Sequence, residues 1–467
     1  MSRIAVAILA AIAPRGAWAQ PFVFDGVPVP GPLTLQTHYL FYVYAAKDAP
    51  DRRHGDPTVS MELVLLPDEA SRAPAPLEEL ARYESFGVAV LPQADFDATF
   101  HSRSFCSPRG ASDASKLTVR ETASGDAVVL HAISGGSMKP HEDALRRSGV
   151  YVLAAANCGN LTGFKVSGTV SVRNPHGFLP GVDYSKKDMY GLFFLVYLTI
   201  SLVWIRCSHR WMGRLFMVQR SMLWVCLTAA SESAAMWLFY VLWNSSNAVH
   251  QVLFFAGSLF SLWKVLLLFR EALLASEVFR DDAGSAPSAC NAPAHLALVA
   301  YAGAEFRFRL MAQFRTGYGL GSSEMFWNAL PMVALGLLLF AWGGLSLMRE
   351  KQALLDRNMG DRASLLTQSQ VVVGAAAVGA LATLALQLAD PGLSADVGSW
   401  GLHGLISDGL GQCVFASVLA AAMLVWWPSE SKQRESASAA ACPECQRIGA
   451  AMDSGEDPEG DLGRASV

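Results

Sequence analysis

Charge is scarce in this sequence. Only 16% of its 467 residues are Asp, Glu, Lys or Arg, while 52% are hydrophobic, a balance too apolar for an ordinary soluble domain. A formal net charge of -4 gives no basic footprint, so no nucleic-acid partner is expected. Catalytic signatures are missing too. HExxH does not occur, and His209, His250, His295 and His403 fall at the ends of apolar stretches or in loops, so neither a zinc hydrolase nor another catalytic site is expected. The glycine-rich segment Gly317 to Ser323 belongs to a loop expected outside the cytosol, out of reach of nucleotide, and reads as a turn.

Cysteine is also sparing, with eight spread along the chain. Cys442 and Cys445 form a lone CPEC pair without the two further ligands that tetrahedral zinc needs, so no metal or cofactor is expected. Cys207, Cys226 and Cys413 lie in or beside apolar stretches and read as packing residues. Cys106 and Cys158 precede those stretches and are the disulfide candidates, because an oxidising lumen lets such a bridge persist.

Apolar length, by contrast, is abundant. Seven stretches of helix length, at 189–206, 215–243, 250–272, 293–313, 325–348, 364–388 and 405–427, predict seven membrane spans. The second is long enough to tilt or to project from the bilayer. At the start, Arg3 precedes the apolar run Ile4 to Ala13, and Ala17-Trp18-Ala19 offers a cleavage site before Gln20. Residues 1–19 therefore read as a secretory signal peptide, with an uncleaved first helix as the alternative.

Between these features, residues 20–187 carry short alternating apolar runs: Leu35 to Tyr44, Val59 to Leu66, Phe86 to Leu91, Lys116 to Glu121, Ala127 to Ile133, Val150 to Ala155 and Phe164 to Val172. Gly, Pro, Asp and Ser separate them, a pattern that predicts a lumenal antiparallel β-sandwich. The segment between Pro67 and Tyr83 is richer in Ala, Glu and Leu and is either helical or a loop. The expected fold is thus an α+β membrane protein: a sandwich over 20–187, a seven-helix bundle over 188–428 and a disordered tail over 429–467. The tail is either a docking segment for cytosolic sorting machinery or a solvated end.

Loop charges orient the chain. Arg206, Arg210 and Arg214, then Arg280, then Arg349, Lys351, Arg357 and Arg362 flank one set of span ends, whereas 244–249 and 389–404 hold no Lys or Arg. The positive-inside rule puts the first set in the cytosol, leaving the N-terminus lumenal and the C-terminus cytosolic. The sequons at Asn160 and Asn244 both fall on the lumenal side as glycosylation candidates, Asn244 being the closer to the membrane.

Ionisable side chains within spans need partners, a wet cavity or a place at the rim. Glu232 in the second span, Lys264 in the third, Glu305 and Arg309 in the fourth and Asp408 near the start of the seventh form a candidate polar cluster. Glu305 and Arg309 are four residues apart and suit an intrahelical pair; Arg307 points elsewhere and suits snorkelling. Glu232 and Lys264 suit a pair between successive helices. Two readings stay open: ion pairs that fix helix register, or a lined cavity that binds or conducts.

Asn174-Pro175-His176-Gly177-Phe178-Leu179-Pro180, followed by Tyr190-Gly191, resembles the Asn-Pro-aromatic-Gly-aromatic-Leu-Pro junction of the Golgi-dynamics-domain seven-transmembrane (GOST) proteins, also called the lung seven-transmembrane receptor family. Gly149 to Cys158 looks like the last strands of that family's lumenal domain. Glu232, the Glu305-x-x-x-Arg309 pair, Pro331, Trp342, Ser346, Asp408 and Trp426-Trp427-Pro428-Ser429 match its spans in order, so the resemblance covers roughly 149–431. Phe239 stands where the family commonly has a second acidic residue, Ser233 where it often has Lys, and Gly336 where it has an acidic or polar residue.

The resemblance implies a GOLD-like sandwich, a Wntless-like bundle and a role in Golgi or endosomal membrane trafficking. Membrane lipid and a lumenal protein or lipid-linked cargo are the partners it implies. A cation channel or transporter is the alternative of a different class. A G-protein-coupled-like receptor is a third, although Phe269-Arg270-Glu271 stands where the Asp-Arg-Tyr signature of such receptors belongs.

Overall fold

The computed structural model describes residues 22–31, 33–51, 53–67, 86–101, 105–107, 116–117, 128–131, 141–158, 163–211, 215–277, 291–313, 322–389 and 397–429. The expected signal peptide, Asn160, Cys442 with Cys445, the segment between Pro67 and Tyr83, and the tail from 430 lie outside these residues.

The N-terminal half is built from short strands. One antiparallel sheet orders β1 (Phe22–Pro28), β10 (Phe164–Arg173), β3 (Thr58–Pro67) and β8 (His141–Ala144); the other orders β2 (Thr34–Val43), β9 (Gly149–Asn157), β4 (Phe86–Pro92) and β7 (Val128–His131). Alternation decides which side chains point inward. Met61, Leu63, Val166 and Val170 from the first sheet meet Phe41, Val88, Tyr151 and Leu153 from the second in one buried core. Five of the seven alternating runs fall on strands; of the Lys116 to Glu121 and Ala127 to Ile133 runs only 116–117 and 128–131 are among the described residues, and these are strands too, while β1, β8 and β5 (Cys106–Ser107) lie outside the runs.

Strand β9 is buried on both faces, which explains its run of small and β-branched residues. On the outer face Val152, Ala154 and Ala156 pack with Phe96 of α1 (Gln93–His101) and with Cys158. Cys158 is disulfide-bonded to Cys106, whose strand β5 pairs with β6 (Lys116–Leu117). Further along the same face, Val150 and Tyr44 pack with Val182 and Trp400 of the helical half, so the two halves share a core.

Long helices follow: α2 (Tyr184–His209), α3 (Met217–Ser246), α4 (Gln251–Glu277), α5 (Asn291–Gln313), α6 (Ser322–Asp356) and α7 (Gly360–Ala389). A short helix α8 (Trp400–Gly404), a π-helical turn (Leu405–Gly409) and α9 (Leu410–Val425) then run as one rod. Among the described residues, six segments are long and apolar enough to cross a membrane: 181–209, 217–246, 251–273, 326–356, 360–387 and 400–425. Helix α5 is not among them; it carries Glu305, Arg307 and Arg309 and packs against α4 and α6. The chain is therefore a multi-pass membrane protein with an antiparallel two-sheet region in front. Many large apolar side chains on the helices, among them Leu192, Trp224, Trp263 and Val371, face outward, as lipid contact requires.

At the bundle end away from the strands, Trp204, Val218, Leu354, Ala363 and Trp426 form a shared core. Gln219 ties it together, receiving the Phe216 N–H at 3.0 Å and donating to the Trp426 carbonyl at 3.0 Å, while Trp204 Nε1 donates to the Gln219 carbonyl at 3.1 Å.

Candidate functional site

A cavity of about 1090 Å³ runs through the bundle, slightly above the usual range for ligand sites. Its wall is largely apolar, yet all five intramembrane residues singled out from the sequence line it: Glu232, Lys264, Glu305, Arg309 and Asp408. They do not form one cluster. The structure sorts them into three separate groups, two of which hold residues that the sequence search passed over.

The central group joins four elements. Glu232 on α3 and Lys264 on α4 form an ion pair at 1% and 3% exposure. Gln412 on α9 closes the ring: its Oε1 accepts from Lys264 Nζ at 2.9 Å and its Nε2 donates to Glu232 Oε1 at 3.0 Å. Tyr197 of α2 donates to Gln412 Oε1 at 3.0 Å, and the Lys264 ammonium sits 4.5 Å from the Phe415 ring centroid. Each buried charge thus has an opposite charge and further hydrogen bonds, which a buried pair needs to survive its desolvation.

At the end nearest the strands, Asp408 belongs to a second group rather than to that ring. Lys186 of α2, buried, pairs with Asp183 at 2.9 Å and with Asp408 at 3.3 Å. Asp408 is on the π-helical turn, and Gly404 just before it lies so close to Ser185 that an added Cβ would stand 2.1 Å from Oγ. Glycine is what lets α8 approach the start of α2 and bring Asp408 to Lys186. The third group is local: Arg309 Nε and Nη2 donate to Glu305 Oε1 at 2.9 and 2.8 Å. Arg307 instead donates to Asn328 Oδ1 of α6 at 3.2 Å.

Above this cavity the segment 174–184 locks the strands to the helices. Asn174 and Gly177 exchange backbone hydrogen bonds at 2.7 and 3.0 Å, closing a tight turn in which Gly177 has φ +131°. The Asn174 side chain is saturated. It accepts from Tyr44 N–H at 2.9 Å and donates to the carbonyls of Leu179 at 2.9 Å and Tyr42 at 3.3 Å. Pro175 offers its carbonyl to His54 N–H at 2.9 Å, and Pro180 ends the turn before the helical start of α2.

Asn244, at the end of α3, grips this turn from the other side. Its Nδ2 donates to the His176 carbonyl at 2.8 Å, its Oδ1 accepts from Leu179 N–H at 3.2 Å and its own carbonyl accepts from Phe178 N–H at 3.1 Å. The nitrogen that a glycan would use is therefore committed to the junction. Replacing Asn244 by Gln is expected to leave the electrophoretic shift on glycosidase treatment unchanged, while loosening the turn.

His176 lies inside the junction, its ring 4.3 Å from that of Tyr184 and 5.8 Å from that of Tyr44, with Nε2 3.0 Å from the Leu179 carbonyl. Burial pushes its pKa down to about 4, the nearby Lys187 adding to that and the Leu179 carbonyl opposing it. Folded, the ring stays neutral down to that value; unfolded, it takes a proton near 6.5. Between the two the unfolded chain binds more protons, so stability falls as pH falls from 6.5 toward 4. His38 in the β region, also pushed down to about 4 by burial, acts in the same direction. Replacing His176 with Phe is expected to flatten the loss over that window by roughly 2–3 kcal/mol, measured as the pH dependence of thermal unfolding of the purified chain.

Sequence reasoning missed Lys186, Asp183, Gln412, Tyr197 and Trp400. Lys186 sits at the margin of the first apolar stretch and reads as a solvated flank, and Gln412 is uncharged, so a search for ionisable residues passes it by. No protein-family model matches the chain, and no curated protein matches it.

Proposed function

We propose that this chain is a seven-span protein of the Golgi or a neighbouring endomembrane that acts in trafficking or cargo sorting. Its β region binds a lumenal protein or lipid-linked cargo, and its bundle admits membrane lipid to the cavity. In this reading α5 is the seventh span, with the Glu305–Arg309 pair lowering the cost of crossing. The basic residues support a cytosolic C-terminus: Arg206 and Arg349 to Arg362 belong to the bundle end away from the strands, where the positive-inside rule expects them.

The observation that carries the reading is the buried junction. Tyr44 of the β region touches Trp400, with ring centroids 4.9 Å apart and Trp400 fully buried. Trp400 opens the segment that carries Asp408 and Gln412 into the cavity. A partner seated on the strands can therefore bias the polar groups below, provided it binds the two arrangements of the junction unequally. The resemblance of Asn174 to Pro180 to the junction of the Golgi-dynamics-domain family supports the same function. Imaging a tagged full chain against Golgi, endosome and plasma-membrane markers, with a secretion assay in cells lacking it, tests the proposal. Predominant surface location with normal secretion would remove it.

A cation channel or transporter is the second reading, favoured by the charge of the cavity wall, where five carboxylates face three basic side chains. It requires current through reconstituted protein that changes on substitution of Glu232 or Asp408. The closed ring of Glu232, Lys264, Gln412 and Tyr197 argues against it, because a permeating ion must break that ring.

A further inference from the structure

Seven of the eight charged side chains in the cavity wall have a partner of opposite sign: Lys186 with Asp183 and Asp408, Lys264 with Glu232, Arg309 with Glu305. The eighth is Glu271 of α4. It is 5% exposed, and neither carboxylate oxygen has a hydrogen-bond partner among the described residues. Arg270, its neighbour in sequence, acts on it only as a nearby charge: it is exposed and forms no hydrogen bond with either carboxylate oxygen. Glu271 stands at the cavity end far from the strands, where the wall also includes Val218, Ala275, Leu347 and Trp426.

A carboxylate buried without a partner carries a large desolvation cost, and native structures seldom leave one so. Every other acid in this wall is answered by a base, which makes the omission at Glu271 specific. The missing group is a hydrogen-bond donor with positive charge, delivered by something whose remainder suits an apolar tunnel. Trp426 and Trp204 close the bundle at this end, so the body of such a molecule extends back along the cavity, toward Leu268 and Phe269.

We propose that the cavity binds an amphiphile with a protonated amine head, its N–H groups donating to Glu271 and its hydrocarbon chain lying along the apolar wall. The ammonium gives Glu271 the charge partner and the hydrogen-bond donors that it lacks among the described residues. The head is carried either by a free long-chain amine or by an aminophospholipid. This deepens the reading of the cavity as lipid-accessible and rests on that part of it.

Dodecylamine and dodecanol, matched in chain length, are titrated against the purified full chain in maltoside micelles, with thermal midpoint as readout. Wild type is expected to bind the amine at least about tenfold more tightly than the alcohol. Glu271→Gln is expected to erase that preference, and a cooperative thermal transition in the absence of either probe reports that the variant is folded. An amine preference that survives Glu271→Gln overturns the proposal, as does a wild-type preference near one, a result that needs no variant. If neither probe binds, the lipid-accessible cavity itself fails, a distinguishable outcome. Displacement of dodecylamine by phosphatidylethanolamine but not phosphatidylcholine assigns the head to an aminophospholipid; displacement by neither assigns it to a free amine.

Discussion

Replacing Lys264 with methionine is expected to destabilise the bundle by about 3–5 kcal/mol, the range for removing one partner of a buried ion pair. The size follows from what is left behind. Glu232, 1% exposed, loses its ion-pair partner, and Gln412 Oε1 loses one of its two donors. Replacing both Glu232 and Lys264 with methionine is expected to recover most of that loss, because apolar groups of similar volume carry no desolvation cost. Gln412→Leu tests the third corner: it leaves both charges paired but removes one hydrogen bond from each, while the Tyr197 hydroxyl keeps its bond to the backbone carbonyl of residue 412 at 3.2 Å. Its expected cost is smaller, about 1–3 kcal/mol. Thermal midpoints of the purified chain and its four variants, including Glu232→Met alone, give the coupling directly. Additive effects of the two single methionine variants would mean that Glu232 and Lys264 do not depend on each other. A double variant that unfolds as easily as Lys264→Met would mean that the ring is held by something other than charge.

The parts of this molecule that rest on periodicity are legible in the sequence, and those that rest on approach between distant segments are not. Alternation in Phe164 to Val172 is enough to read β10, because one face of that strand meets the core and the other does not. Strand β8 escapes because its sequence HEDA has no apolar alternation; it forms as an edge strand on β3, where exposure of Glu142 and Asp143 is free. Within the cavity, Glu232, Lys264, Glu305 and Arg309 stand out as charges among apolar neighbours. Asp408 stands out too, yet its partner Lys186 is 222 residues away in sequence, and close approaches between the two segments, such as Gly404 against Ser185, bring them together. Glu271 is plain in the sequence as a charge, but that no described residue bonds its carboxylate is a property of the folded cavity alone.

Placing a side chain at Gly177 is expected to have the second large effect, and the effect is local before it is global. A Cβ there would stand 2.5 Å from both the carbonyl oxygen and Oδ1 of Asn244, at a backbone φ of +131° that L residues rarely adopt. Overpacking against a fixed backbone costs about 1–3 kcal/mol, and the strained conformation adds a similar amount. The two costs can be separated. Gly55 also has a positive φ, +77°, but its added Cβ meets nothing within 4 Å, so Gly55→Ala carries conformational strain without a clash. Hydrogen exchange on the full chain is expected to show Gly55→Ala changing only its own loop. Gly177→Ala is expected to speed exchange in 174–184 and around Asn244 and Trp400, with the sandwich core around Val88 and Leu153 still protected. That pattern would mean the junction opens as a unit while both halves stay folded, the condition for the β region and the bundle to influence one another through it. Uniform loss of protection would instead mean that the junction is part of a single cooperative core. Acid offers the same test without a mutation: between pH 6.5 and 4 the neutral His176 ring is increasingly costly to keep neutral, so exchange in 174–184 is expected to rise over that window in the wild type and to rise less in His176→Phe.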